Sequence, residues 1–255
     1  MNTSTIAQIY RHFSVRAYQP DPVPLDLIQA VVAAGQRAST SSNLQTYSVV
    51  AVTEEDVRHR LADLCAGQVH IIQAPVFLAW CADLSRLDRI CRMRGYVQET
   101  EYVESFLVAA MDAAIAMQTA ALAAESLGLG ICYIGAIRNR PEEVIELLNL
   151  PRLVFPISGM TLGWPAAEPY IRPRLPLDAI LHWETYTVEG EDQALHDYDR
   201  AMIDTGIYHG RQVLVPGAEG EVEDYGWLEH SARRAASPVR TDLRRILERQ
   251  GFGLK

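Results

Sequence analysis

Apolar positions along the chain fall into two spacings, and each predicts its own kind of element. Leu25, Ile28, Val31 and Val32 recur at helical spacing and predict an amphipathic helix over 24–37. Further helices are expected over 3–10, 54–64, 141–148, 193–208 and 241–250; acidic residues open the second of these and Pro141 the third. Short runs rich in β-branched and aromatic residues, 47–52, 76–81, 131–137 and 153–162, predict buried strands, and another strand is expected near 182–187.

The longest apolar pattern dominates the chain. From Val103 to Leu127 there is no Gly or Pro, and nine alanines fall between Ala109 and Ala124. Such a run has high helix propensity. Asp112, Gln118 and Thr119 are the polar breaks between Leu107 and Ala124, so apolar residues surround the helix axis and burial on most sides is expected. Its length would suit a membrane span, but Asp112 would then cost about 2.5–3.5 kcal/mol near the bilayer centre, and no basic cluster flanks the run. A buried central helix of a globular protein is the better reading. Gly128 and Gly130 end it, and the chain turns directly into a strand.

Strands separated by helices give an α+β, layered α/β body. The organisation expected is a core over 1–189 and a more charged excursion over 190–255 that belongs to the same domain. A chain of 255 residues with 49% hydrophobic content can bury a core of that size. The net charge of −9 argues against nucleic acid or an anionic membrane as main partner. Lys255 is the sole lysine, and the other 22 basic residues are arginines, so a lysine Schiff base and a P-loop lysine within the fold are excluded. Four cysteines without CxxC spacing and an N-terminus without a signal-like apolar region point to the cytoplasm. The seven histidines form no metal-ligand spacing, and no metal is expected.

Polar loops carry the candidate chemistry. They hold His12, Ser14 and Arg16; the stretch 40–45; Gln68 and His70; and Arg172 and Arg174. Guanidinium forks and hydroxyls of this kind match phosphate oxygens. The glycines at 128, 130 and 135 do not form a dinucleotide fingerprint, which needs strand, glycine turn and then helix, whereas here helix precedes and strand follows. There is also no GxSxG and no HExxH.

Taken in order, HFSVR, RASTSSNLQ, AGQ, AAESLGLGICYIGAIRN, GWP and RPRLP resemble the nitroreductase family, within it the larger NADPH-dependent FMN nitro/flavin reductases. The resemblance covers roughly residues 8–190, with a weaker continuation at Tyr198 and Asp199. It implies a mixed central sheet flanked by helices, and an intertwined homodimer with FMN at the subunit interface. It also implies that His12, Phe13, Ser14, Arg16, Arg172 and Arg174 meet the flavin phosphate and ring edge, and that Ser41 and Gln68 meet the ring or ribityl chain. Tyr133, Ile134, Gly135 and Ala136 would lie against the isoalloxazine. Arg211 would grip the 2′-phosphate of NADPH, although the run 217–224 that follows is acidic where relatives are basic. Two departures stand out. Phe13 replaces an arginine, and Ala136 replaces a glycine, which costs on the order of 1 kcal/mol if the backbone there is left-handed.

The implied activity is hydride transfer from NADPH, or NADH, to FMN. Two electrons then pass in a ping-pong cycle to a small-molecule acceptor: a nitroaromatic, a quinone or free flavin. The flavin carries the chemistry and no side-chain acid or base is required. Alternative readings are a specialised relative, acting as a reductive dehalogenase or reduced-flavin supplier, and a flavin-binding sensor without turnover.

Overall fold

The computed structural model describes residues 3–168, 170–215 and 220–255. In chain order the elements are α1 (Ser4–Tyr10), α2 (Leu25–Gly35), β1 (Tyr47–Val52), α3 (Glu55–Leu64), α4 (Val69–Gln73), β2 (Val76–Asp83), α5 (Ser85–Arg94) and α6 (Val103–Ser126). They continue with β3 (Gly130–Ile134), α7 (Pro141–Leu147), β4 (Val154–Gly163), α8 (Glu191–Asp204), β5 (Gln212–Leu214), β6 (Val222–Asp224), α9 (Trp227–Ala236) and α10 (Leu243–Gln250). Contacts divide the chain into two compact units, one of Met1–Pro169 with Arg240–Lys255 and the other of Tyr170–Val239. The last residues belong to the first unit through α10, whose Ile246 and Leu247 are buried with Phe155 and Phe252.

In the first unit four strands form a sheet in the order β1-β2-β4-β3. Where a mixed sheet is implied by the resemblance, all the pairings among the described residues are antiparallel. All of β2 is buried, which explains its apolar run from Val76 to Ala82: helices cover it on both faces. Alanines let α6 pack closely, and Gly35 of α2 sits so near that an added Cβ would lie 2.9 Å from the Ala116 carbonyl oxygen.

The buried face of α6 is narrower than its composition suggests. Ala109, Asp112, Ala113, Ala116, Met117, Ala120, Ala121 and Ala124 face inward, whereas Val103, Leu107, Met111 and Ile115 are exposed. Small residues line the contact because close approach requires them, so the larger side chains are left on the opposite stripe. The helix has the length and apolarity of a membrane span, yet it packs on β2 and α2 and holds a carboxylate at its centre.

Two expected strands change. The run 131–137 stops being strand at Ile134, and Gly135–Arg138 winds into a 3-10 turn. Residues 182–187 pair with no strand among the described residues, and their Trp183 and Tyr186 are exposed. In the second unit β5 and β6 pair antiparallel, and α8 packs on α9.

Candidate functional site

The segment 12–16 lies along the free edge of β3, where the Val15 amide donates to the Ile131 carbonyl at 2.9 Å. Gly130 permits this approach, since a Cβ there would stand 2.4 Å from Val15 Cγ2. Alternation along the extended segment buries Val15 and exposes Ser14 and Arg16. Arg16 reaches only the Ser14 carbonyl, at 3.5 Å, and has no carboxylate partner among the described residues. His12 turns instead to the end of α6, its Nδ1 2.5 Å from Glu125 Oε1. Phe13 packs beside Val15, Tyr18 and Ala74, and with Gln8, Arg11 and Glu125 it borders a cavity of about 300 Å³.

A tight turn after α3 presents the second loop, with Ala66 and Gly67 both at positive φ. Gln68 donates its side-chain amide to the Cys65 carbonyl at 2.9 Å. His70 is half-buried, and its Nε2 is buried with no hydrogen-bond partner among the described residues. Burial, and after it the Arg16 guanidinium, hold this imidazole below its ordinary pKa. The imidazole is therefore held toward its neutral form within the field of Arg16.

Ser41 opens an exposed loop whose ends are tied to α6: the Ser41 amide donates to Asp112 Oδ1 at 2.9 Å, and the Thr46 amide to Oδ2 at 3.1 Å. At the end of β3 the Tyr133 hydroxyl donates to Gln118 Oε1 at 2.8 Å, and burial, then Glu125, push that phenol well above its usual range. Ile134 is buried and Gly135 begins the turn. Ala136 does not have a positive φ, so alanine carries no left-handed penalty there. Arg138 follows, its guanidinium near Gly135 and donating to the Ile157 carbonyl; burial, then Arg240, depress its pKa.

In the second unit Arg174 donates to the carbonyls of Arg172 and Pro173, both at 3.1 Å, and neither arginine has a carboxylate partner among the described residues. Arg211 follows Tyr208, bonding its amide to the Tyr208 carbonyl at 3.1 Å, and its guanidinium lies 5.8 Å from the Tyr225 ring centroid. Arg233 lies 5.6 Å from the same ring. Such stacking satisfies a cation without neutralising it. Tyr208, Arg211, Asp224 and Tyr225 border a cavity of about 370 Å³. Of the acidic run 217–224, residues 217–219 lie outside the described residues.

The first unit therefore brings the 12–16 segment onto the start of β3 and places Arg16 where its charge is felt at His70, while Ser41 is fixed through the central helix. Sequence reasoning passed over Asp112, whose carboxylate ties the Ser41 loop to α6, and gave His70 no role of its own. A lone carboxylate inside an alanine-rich helix was the available signal for Asp112. An exposed arginine without a carboxylate partner among the described residues, together with exposed hydroxyls, suits a ligand with a phosphate and a polar conjugated ring, which is the chemistry of FMN.

The description "Nitroreductase family" matches residues 9–164, and "Nitroreductase family, C-terminal domain" matches residues 172–255. An FMN reductase (NAD(P)H) of Bacillus subtilis is 38% identical over 250 residues, covering 97% of each chain. An oxygen-insensitive NADPH nitroreductase of Salmonella typhimurium is 34% identical over 251 residues, covering 98% of this chain and 99% of the relative. Among solved structures, the NADPH:FMN oxidoreductase of Vibrio harveyi complexed with NAD+ superposes with a TM-score of 0.86 at 30% identity, covering 99% of this chain and 100% of the other.

Proposed function

The chain belongs to the nitroreductase family, and from that membership we propose how its own residues serve an FMN-dependent NAD(P)H oxidoreductase. It is an enzyme of that class, as its full-length relatives are named. Bound FMN supplies the redox chemistry, accepting a hydride from the nicotinamide and returning two electrons to a small-molecule acceptor. The acceptors proposed are nitroaromatics, quinones and free flavin, taken in turn in one pocket, and the cytoplasm is the proposed compartment.

The observation that carries the residue assignments is Arg16, an exposed cation with no carboxylate partner among the described residues, on the segment that lies along β3. Arg16 is assigned to the flavin, stabilising negative charge on the phosphate or on the reduced ring. Ser14, Ser41 and Gln68 supply polar contacts, and Tyr133, Ile134, Gly135 and Ala136 supply the wall. Arg172 and Arg174 are assigned to the phosphate on the resemblance, together with His12 and Phe13. Phe13 contributes an apolar surface where relatives place a cation, and His12 contributes through its Glu125-held ring. Arg211 is assigned to the 2′-phosphate of NADPH, held ready on the Tyr225 ring, with Glu221, Glu223 and Asp224 weakening the preference over NADH.

A homodimer completes the proposal. Leu107, Met111 and Ile115 form an exposed apolar stripe on α6, and Leu177, Ile180, Trp183, Tyr186 and Val188 are exposed along one stretch of the second unit. Exposed apolar area of that extent marks an interface. Steady-state kinetics test the function. Parallel double-reciprocal lines for NADPH against a nitroaromatic or quinone are expected, and intersecting lines would refute one pocket used in turn.

A further inference from the structure

The loop 41–45 is exposed, yet it holds three residues other than glycine in the left-handed region: Ser42 at φ 49, Asn43 at φ 57 and Gln45 at φ 53. Of these, only asparagine takes that conformation readily. No buried side chain of the loop anchors it, so the restraint must be polar. It comes from both sides.

From the core, Asp112 of α6 spans the ends of the loop. It is 2% exposed; Oδ1 accepts the Ser41 amide at 2.9 Å, and Oδ2 accepts the Thr46 amide at 3.1 Å and the Thr46 hydroxyl at 2.8 Å. From the opposite side, Arg86 of α5 donates to the carbonyl of left-handed Gln45 at 2.7 Å and to the Ser48 hydroxyl at 2.9 Å. Arg86 is itself steered by Asp83, 3.6 Å away, a carboxylate fixed by Ser48 and by the Ser85 amide and hydroxyl.

We propose that Asp112 and Arg86 are positioning residues, a clamp that keeps Ser42, Asn43 and Gln45 in the left-handed region and so presents Ser41 to the flavin. The proposal rests on the reading that Ser41 meets FMN. Neither residue need touch the cofactor. A carboxylate serves at position 112 because all three neighbours are donors; an asparagine there would turn its own NH2 toward one of them and leave a donor unpaired.

The test uses the holoenzyme and measures FMN dissociation together with the visible circular dichroism of the bound flavin, a signature that a merely structural change far from the ring would not move. Ser41→Ala, Asp112→Asn and Arg86→Gln are each expected to weaken FMN binding about tenfold, the loss that follows from one or two charged hydrogen bonds, and to alter the dichroism alike. Arg86 is partly exposed, so Arg86→Gln remains a test if Asp112→Asn does not fold. Adding Gln45→Gly to Arg86→Gln should recover most of the loss, because glycine adopts positive φ without a restraint. If Ser41→Ala weakens binding while folded Arg86→Gln binds like the parent, the clamp is overturned and the role of Ser41 stands. If Gln45→Gly recovers nothing, the left-handed restraint is overturned. If Ser41→Ala itself changes neither readout, the reading of Ser41 falls and the proposal with it.

Discussion

His70 lies beside Arg16 with its Nε2 buried and without a hydrogen-bond partner among the described residues. Burial and the neighbouring guanidinium both disfavour its charged form, so its folded pKa lies below the unfolded value. Below about pH 6.5 the unfolded chain then binds the proton more readily than the folded one, and stability rises with pH through that window. The FMN-free protein is expected to lose melting temperature on acidification from pH 7 to the folded pKa, and His70→Gln is expected to flatten that slope. An unchanged slope in the variant would show that His70 is not the group responsible.

Arg16→Ala is expected to weaken FMN binding by about ten- to a hundredfold, as for the loss of a charged hydrogen bond. Arg37, an exposed arginine at the end of α2, is the control. Flavin retained equally after gel filtration of Arg16→Ala and Arg37→Ala would remove Arg16 from the site.

The exposed stripe on α6 predicts its own disruption. Leu107 is 49% and Met111 52% exposed in the isolated chain. A stable dimer of this kind buries more than about 2,000 Å², and Met111→Glu would place a charge within it. Light scattering should show a dimer for the parent, a monomer or a mixture for the variant, and flavin loss with dissociation. A flavin-holding monomer of the parent would contradict the interface.

Arg211→Ala is expected to raise the KM for NADPH by about ten- to a hundredfold and to leave that for NADH nearly unchanged, since only NADPH carries the 2′-phosphate. Equal losses with both donors would mean that Arg211 supports the fold of the second unit through the Tyr225 stack rather than reading the phosphate.

Much of this arrangement was legible in the chain, for identifiable reasons. The central helix announced itself because alanine propensity and the absence of Gly and Pro agree over its full length, and β1 fell on the residues expected, Tyr47–Val52. The failures have physical causes. Ile137 is fully buried like a strand residue, but the chain has already turned at Gly135, and an apolar run does not distinguish a buried strand from a buried turn. Residues 182–187 have strand composition, yet Trp183 is 77% exposed, so the composition reflects a surface rather than a ladder. Helix α5 was missed because its sequence, SRLDRICRMR, is arginine-rich and buries no residue.

The proposed site shows the same division. The local motifs that nominate Arg16, Gln68 and Tyr133 each fall on a loop or strand end that a short sequence can specify. The Asp112 and Arg86 contacts join residues far apart in the chain, and no spacing rule reaches them. The cost of Ala136 depended on whether its backbone is left-handed, and it is not, because the residue lies in the 3-10 turn. Burial pushes the thiols of Cys65 and Cys81 up to about 12, in keeping with cysteines that serve as small apolar residues.

The most direct test of the whole account is the absorption spectrum of the purified protein, followed by anaerobic titration with NADPH and then with NADH. The account predicts a yellow protein that releases FMN rather than FAD on denaturation. Its flavin band should bleach with one equivalent of either donor, NADPH being preferred only modestly, and should return on addition of a quinone or nitroaromatic. A colourless protein that FMN cannot reconstitute, or a flavin band that neither donor bleaches, would contradict it.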